Sequence, residues 1–114
     1  MAGTHTQTFT AANFESEVLR SDIPVLVDFW AEWCAPCRAL GPTIDSVAAS
    51  FDGRAKVGKL NVDDAQEIAQ RYRITSIPSV LVFSGGELRD TLVGLRQEDD
   101  YAAALDGALA QTAG

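Results

Sequence analysis

A nearly uninterrupted apolar segment at 25–30 is the feature that most constrains the fold of this chain. Its sequence is Val-Leu-Val-Asp-Phe-Trp, so only Asp28 interrupts a run of aliphatic and aromatic residues. A strand of this composition has to be covered on both faces, as the central strand of an α/β sheet is. The segment therefore predicts a layered α/β domain with this strand at its centre.

Helical and extended patterns alternate along the rest of the chain. Helices are predicted in four segments, 11–20 behind a possible N-cap at Thr10, 34–51, 64–72 and 97–111. Strands are predicted in four more segments, 7–9, 55–62, 80–83 and 87–93. Gly85-Gly86 predicts a hairpin turn between the last two strands, and the spacing of Asp64 and Glu67 predicts a capping box. The order predicts a three-layer fold, a mixed sheet of about five strands flanked by about four helices.

Length and charge limit the classes of protein to which the chain can belong. At 114 residues, a single domain over 1–114 is expected, with a flexible N-terminus at 1–6 and a C-terminal tail at 111–114. The net charge is −7 and the basic residues are scattered, which argues against nucleic acid as a partner. No secretion signal and no membrane-spanning run is recognisable, so we expect a soluble protein.

Two cysteines, Cys34 and Cys37, stand at the point where the central strand gives way to a helix. Unpaired N–H groups and the positive end of the helix dipole at that point favour a thiolate at Cys34. Cys37 lies one helical turn further on, where its sulfur can reach that of Cys34. Pro36 fits the first turn of a helix, where a missing N–H is harmless. The spacing favours an exposed nucleophile with a resolving thiol behind it.

Three other roles for the cysteine pair remain open at this point. A zinc site needs about two further ligands, and the chain has no other Cys and only His5, which is expected to be a solvated terminal residue. A purely structural disulfide across three residues would restrict the unfolded chain very little. Two inert buried thiols are the third alternative. Redox chemistry is favoured over all three, and no metal is expected.

Four runs of sequence, in this order, resemble the thioredoxin family. They are Trp-Ala-Glu-Trp-Cys-Ala-Pro-Cys at 30–37, Lys-Leu-Asn-Val-Asp at 59–63, Ile-Pro at 77–78 and Val-Gly at 93–94. The resemblance extends over about residues 8–110. It implies the thioredoxin-like three-layer fold and a general protein-disulfide reductase. By the same resemblance, Cys34 attacks the substrate disulfide and Cys37 resolves the mixed disulfide.

Asp28 is the most unusual residue outside the cysteine pair. A carboxylate in an apolar, central strand should have a raised pKa unless it is paired. The resemblance implies that Asp28 accepts the proton of Cys37, with Lys59 as its partner. The alternative is a structural ion pair between Asp28 and Lys59, which is compatible with a role in proton transfer.

The resemblance also implies a substrate-binding surface. It assigns Trp33, Ile77, Pro78 and Gly94 to that surface, with a cis peptide bond before Pro78 that faces the cysteines. The glycine would allow close approach of a substrate backbone. As alternatives from the sequence alone, Pro78 could merely begin a strand and Gly94 could end one.

Five more positions near the cysteines complete the interpretation of the site. It implies that Ala35 and Pro36 tune the redox potential. Family members usually carry Gly-Pro between the cysteines and Lys after them, so Ala35 and Arg38 are departures, and the redox potential and the fit to a reductase stay open. Trp30 and Pro42 are expected to be structural support. Trp30 should pack beneath the site, and Pro42 should kink its helix because it has no N–H to donate.

Cofactors, partners and location follow from the resemblance as expectations. We expect no bound cofactor, a redox-active Cys34–Cys37 disulfide, and electrons from NADPH through a separate flavoprotein thioredoxin reductase. The other partners would be disulfide-containing proteins, with neither nucleic acid nor a membrane, and the protein would be a cytoplasmic monomer. The alternatives are a disulfide isomerase, an oxidant, a reductant specialised for one target, or a non-enzymatic partner subunit. Oxidants of this fold usually carry His between the cysteines, which this chain lacks.

Overall fold

Strand β2, Val25–Trp30, lies at the centre of a five-stranded mixed sheet in a computed structural model. The structure describes residues 3–113, with side chains through residue 111. The other strands are β1 Gln7–Phe9, β3 Lys56–Asn61, β4 Ser79–Ser84 and β5 Glu87–Val93. The helices are a short π-helix Glu15–Leu19, α1 Ala35–Ser50, α2 Gln66–Arg71 and α3 Glu98–Ala113. The predicted α/β class, mixed sheet and helices on both faces are confirmed.

The sheet order is β1-β3-β2-β4-β5. Strand β2 pairs with β3 in parallel and with β4 antiparallel, and β5 forms the predicted hairpin with β4. Gly85 and Gly86 make the turn with φ of 62° and 79°, the left-handed conformation that glycine adopts without steric cost. None of the helices in the described chain is long and apolar enough to cross a membrane.

Each face of the sheet carries its own apolar core, as the composition of β2 requires. Alternate residues of β2 point to opposite faces, so Leu26 and Asp28 share the face that α1 and α3 cover. Val27 and Phe29 point to the face that the π-helix and α2 cover. The α1/α3 face buries, among others, Leu40, Ile44, Val47, Val80, Tyr101 and Leu105. Asp28 is therefore placed by strand periodicity inside an apolar layer.

The first helix differs from the prediction for 11–20. A turn replaces its first part, because the Thr10 backbone N–H donates to Asn13 Oδ1 at 2.7 Å and the Asn13 N–H donates to Thr10 Oγ1 at 3.2 Å. Such side-chain bonds compete with helical ones. The part that follows is a π-helix, in which the Arg20 N–H donates to the Glu15 carbonyl at 2.9 Å.

The predicted capping box at Asp64 is wrong. Helix α2 begins at Gln66, and its N-cap, Ala65, has no side chain that could accept a hydrogen bond. The backbone N–H groups of Asp64 and Ala65 instead both donate to the Asn61 carbonyl at 3.1 Å. This tight turn at the end of β3 delays the helix by two residues.

The two chain ends are more regular than expected in the part that the structure describes. Helix α3 continues to Ala113, so the predicted tail at 111–114 is helical as far as residue 113, since Gln and Ala favour helix. Near the other end, the Thr6 hydroxyl donates to Asp45 Oδ1 at 2.7 Å. Residues 1, 2 and 114, which belong to the predicted flexible end and tail, lie outside the described residues.

Candidate active site

The junction between β2 and α1 positions the two cysteines. Cys34 is the N-cap of α1 with an extended backbone, φ −92° and ψ 104°, and Cys37 lies in the first turn. The structure holds the pair as a disulfide. The Cys37 backbone N–H donates to Cys34 Sγ at 3.2 Å, so a thiolate at Cys34 would receive the same hydrogen bond and the positive end of the helix dipole.

The residues between the cysteines occupy the first turn of α1. Pro36 fits there because the first N–H groups of a helix have no intrahelical acceptor. Ala35 and Pro36 are both exposed, whereas Cys34 and Cys37 are buried. Cys34, which the sequence predicted to be exposed, is therefore buried, and its neighbours Ala35 and Pro36 form the surface there.

A shallow apolar groove of about 370 Å³ lies beside Cys34. The Ile77–Pro78 peptide bond is cis, and the Ile77 carbonyl oxygen is 3.8 Å from Cys34 Sγ. Trp33 is 69% exposed at the groove and its Nε1–H donates to Asp63 Oδ2 at 2.9 Å. The groove is lined by Trp33, Val62, Ala69, Ile74, Thr75, Ser76 and Ile77. Three of the predicted residues, Cys34, Trp33 and Ile77, are thus brought together.

Gly94 is linked by its backbone to the loop that carries Pro78. The Gly94 N–H donates to the Pro78 carbonyl at 2.8 Å, and Gly94 has φ 84°. From α3, the Tyr101 hydroxyl donates to the Gly94 carbonyl at 3.4 Å. The sequence predicted a helix over 97–111 but did not identify Tyr101 as a residue of the site. The available signal was a tyrosine on the buried face of a helix, since a buried hydroxyl needs a partner.

Asp28 is completely buried and unpaired. Its side chain is 0% exposed, and neither carboxylate oxygen has a hydrogen-bond partner in the part of the chain that the structure describes. Burial raises the pKa of Asp28 to about 7, with Lys59 opposing the rise and Asp45 adding to it. The group is therefore a carboxyl that exchanges a proton near neutral pH.

The predicted pairing of Lys59 with Asp28 is wrong as a direct contact. The two residues are neighbours in register on β3 and β2, yet Lys59 Nζ forms its ion pair with Asp45 Oδ1 at 3.9 Å. Asp45 lies on α1 and is partly exposed, so charge there costs less desolvation than at the buried Asp28. Lys59 acts on Asp28 as a nearby charge rather than as a hydrogen-bond donor.

A second groove, of about 760 Å³, opens on the Cys37 side of the site. Among its lining residues are Trp30, Cys37, Gly41, Pro42, Asp45 and Lys59. Trp30 and Pro42, predicted as structural support, are thus walls of this groove. Cys37 thus lines the same groove as Lys59 and Asp45, the two charged residues that shift the pKa of Asp28. Neither here nor elsewhere in the described residues is a group of three or more His, Cys, Asp or Glu side chains placed to hold a metal ion.

Comparisons of the sequence with a family model and with known proteins all indicate the same family. The family model described as Thioredoxin matches residues 5–107. A protein named Thioredoxin from Rickettsia bellii is 52% identical over 90 residues, which cover 79% of this chain and 86% of that protein. Thioredoxin from Pseudomonas aeruginosa is 43% identical over 102 residues, 90% of this chain and 94% of that protein. Thioredoxin 1 from Nostoc is 48% identical over 85 residues, which cover 75% of this chain and 79% of that protein.

Proposed function

Because the chain belongs to the thioredoxin family, it is a thiol–disulfide oxidoreductase that reduces disulfides, and we propose that Cys34 is its attacking thiol and Cys37 its resolving thiol. The observation that carries this assignment is the position of Cys34 as the N-cap of α1. There its sulfur accepts the Cys37 N–H and borders the apolar groove at Ile77. Cys37 faces the second groove.

The reaction consists of two thiol–disulfide exchanges. The Cys34 thiolate attacks one sulfur of the substrate disulfide, so that a mixed disulfide forms and the other substrate sulfur leaves as a thiolate. The Cys37 thiol loses its proton and attacks Cys34 Sγ. The Cys34–Cys37 disulfide forms, the second substrate sulfur leaves, and two electrons have passed to the substrate. The bonded Cys34–Cys37 pair corresponds to the oxidised form that this reaction would leave.

Asp28 is the proton acceptor for Cys37 in this proposal. A carboxyl with a pKa of about 7 is about half ionised at neutral pH, so it both accepts and returns a proton. Water in the second groove can relay the proton, because that groove is lined by Cys37 and by Lys59 and Asp45, the charged neighbours of Asp28. The Lys59 charge favours the ionised carboxylate that must be present before transfer.

Substrate chains bind along the groove beside Cys34. Trp33 offers an exposed aromatic surface, and the Ile77 carbonyl lies close to the attacking sulfur. Gly94 has no side chain, so it allows an extended substrate segment to approach the backbone closely. Val93 and Leu95, which are 49% and 55% exposed, add apolar contact area on both sides of the glycine.

Tyr101→Phe should weaken substrate binding without changing the chemistry of the cysteines. The variant removes the hydroxyl that holds the Gly94 carbonyl and keeps the buried ring. A neutral hydrogen bond contributes ~0.5–1.5 kcal/mol, so KM for a protein disulfide should rise about two- to twelve-fold. The rate with a small aromatic disulfide and the redox potential should not change.

Tyr72→Phe is the matched control, because Tyr72 packs by its ring against Phe14 and Phe83, away from Gly94. Its KM should equal that of wild type. Equal KM values for Tyr101→Phe and wild type would show that the hydroxyl does not position the substrate groove.

Electrons come, in this proposal, from NADPH through a separate flavoprotein thioredoxin reductase, and the protein works as a cytoplasmic monomer. A reducing compartment with NADPH is what keeps the Cys34–Cys37 pair in its dithiol form. Ala35 and Pro36 tune the redox potential, since they form the helical turn that the disulfide closes. No nucleic acid is involved, because the net charge of −7 repels phosphates.

Reduction of insulin disulfides tests the proposed function with two electron donors. With dithiothreitol, the protein should accelerate precipitation of the insulin B chain. With NADPH and a bacterial thioredoxin reductase, NADPH oxidation should depend on added protein. Acceleration in the first arm alone would show that the reductase used is not an electron donor for this protein, and no acceleration in either arm would contradict the function as a disulfide reductase. An equilibrium constant with glutathione in the range of exported oxidants would favour an oxidant instead.

A further inference from the structure

Two carboxylates compete for the Lys59 ammonium on the α1/α3 face of the sheet. Asp28 is its neighbour in register on the adjacent strand, whereas Asp45 reaches it from α1. Nζ lies 3.9 Å from Asp45 Oδ1, and both Asp28 oxygens lack a hydrogen-bond partner in the described chain. An unpaired buried carboxylate attracts a cation strongly. Something must therefore hold the ammonium beside α1.

Asp45 is itself fixed by the N-terminal segment. The Thr6 hydroxyl donates to Asp45 Oδ1 at 2.7 Å, and the Gly3 backbone N–H donates to the same carboxylate. A Cβ added at Gly3 would lie only 3.1 Å from Asp45 Cγ, so the segment packs closely on the side chain. Burial raises the pKa of Asp45, but these hydrogen bonds and the Lys59 charge outweigh it and lower the pKa overall. Asp45 is thus held in place and kept ionised.

The surface of α1 leaves room for the ammonium. Gly41 lies one helical turn before Asp45, and a Cβ built on it would be 3.3 Å from Lys59 Nζ. A side chain at that position would crowd the nitrogen. Lys59 consequently runs along α1 beside Gly41 toward Asp45, with its side chain 15% exposed.

We propose that Asp45 is a positioning residue: its carboxylate, fixed by Gly3 and Thr6, retains the Lys59 ammonium beside α1 and so keeps it from pairing with Asp28. The inference deepens the proposed function, because its kinetic consequence rests on Asp28 as the proton acceptor for Cys37. A direct Asp28–Lys59 pair would hold Asp28 ionised, and such a carboxylate accepts a proton poorly at neutral pH.

The charged and titratable groups that act on Asp28 come from three elements. Lys59 on β3 favours the ionised form, and Asp45 on α1 disfavours it. Tyr101 on α3 faces Asp28 as a neutral phenol whose own pKa is raised, chiefly by burial and also by Asp28. The β4 neighbour in register, Val80, is apolar. Releasing Lys59 from Asp45 should therefore lower the pKa of Asp28 through a closer cation.

Asp45→Asn tests the inference in the oxidised protein. The amide oxygen can still accept the hydrogen bond from the Thr6 hydroxyl, but the neutral amide no longer forms an ion pair with the Lys59 ammonium. We expect the titration midpoint of Asp28, followed by the ¹³C shift of its carboxyl carbon, to fall by about one pH unit. Asp64→Asn is the matched control, because Asp64 lines the same groove and is not among the charges that shift the Asp28 pKa. An unchanged midpoint in Asp45→Asn would overturn the inference.

Lys59→Met separates positioning from simple repulsion between the two carboxylates. If Asp45 acts through Lys59, Asp45→Asn should shift the Asp28 midpoint far less in the Lys59→Met background than in the wild-type background. Equal shifts in both backgrounds would mean that Asp45 acts on Asp28 directly, and the positioning role would be rejected.

The rate of mixed-disulfide resolution distinguishes the positioning role of Asp45 from the proton-acceptor role of Asp28. The pH profile of mixed-disulfide resolution should move to lower pH with the Asp28 midpoint. A midpoint that falls while the profile stays in place would support the positioning role of Asp45 and contradict the proposed proton-acceptor role of Asp28.

Discussion

Cys34→Ser is expected to reduce insulin disulfides no faster than dithiothreitol alone, whereas Cys37→Ser should still attack the substrate once. Without Cys34 no thiolate lies at the N-terminus of α1 beside the apolar groove. Without Cys37 the mixed disulfide has no internal thiol to release it. Cys37→Ser should therefore accumulate a covalent adduct with the substrate protein, and Cys34→Ser should not. Mass spectrometry under non-reducing conditions measures both results.

The fold should survive both substitutions, which keeps the comparison interpretable. Serine is a preferred N-cap residue, so Ser at 34 can accept the N–H of residue 37 as Cys34 does. The disulfide closes a loop of only three residues and contributes little stability in the chain-entropy view. A Cys34→Ser/Cys37→Ser double variant provides the baseline. Adduct formation by Cys34→Ser but not by Cys37→Ser would reverse the two roles.

Local sequence patterns were sufficient for the central part of the fold. The apolar composition of β2 predicted a strand covered on both faces, and Gly85-Gly86 predicted the turn of the β4–β5 hairpin. The Cys34–Cys37 spacing placed both sulfurs in one helical turn. These features depend on residues that are neighbours along the chain, so their physics is visible in the sequence.

Contacts between distant residues were not predictable in the same way. In the sequence, Asp28 and Asp45 are equally plausible ion-pair partners of Lys59. The pairing with Asp45 depends on the difference in burial between the two carboxylates and on hydrogen-bond donors to Asp45 that lie 39 or more residues away along the chain. The hydroxyl of Tyr101 finds Gly94 only after α3 has packed on the sheet. Such contacts depend on tertiary packing, which cannot be inferred from the local periodicity of the sequence.

Asp28→Asn is expected to stabilise the oxidised protein increasingly as pH rises from about 4 to 7. Burial raises the pKa of Asp28 from 3.8 to about 7, so the folded state keeps a proton that the unfolded state has lost between these values. The free energy of unfolding of wild type therefore falls by ~1.4 kcal/mol per pH unit in this window. The total loss reaches about 4 kcal/mol at pH values above the window. Asparagine does not titrate, so the variant escapes this loss.

Denaturant unfolding at several pH values between about 3 and 8 measures this difference. Near pH 3 the carboxyl is mostly neutral in both states, because this pH lies well below 3.8, so the variant should show no gain there and should show only the small, pH-independent cost of a buried amide. Asp106→Asn, at an exposed position on α3, is the control and should follow wild type at every pH. Parallel curves for Asp28→Asn and wild type would contradict the raised pKa.

The same variant should slow the resolution of the mixed disulfide, because it removes the group that we propose as the acceptor of the Cys37 proton. General bases contribute typically ~10²–10⁴-fold, and water can replace part of that, so a loss of about ten-fold or more near pH 7 is expected. Stopped-flow fluorescence of the mixed-disulfide step measures it. A protein that becomes more stable and yet slower has not lost its structure. The opposite signs therefore assign the kinetic loss to proton transfer, whereas a resolution rate equal to wild type across pH 6–8 would exclude that role.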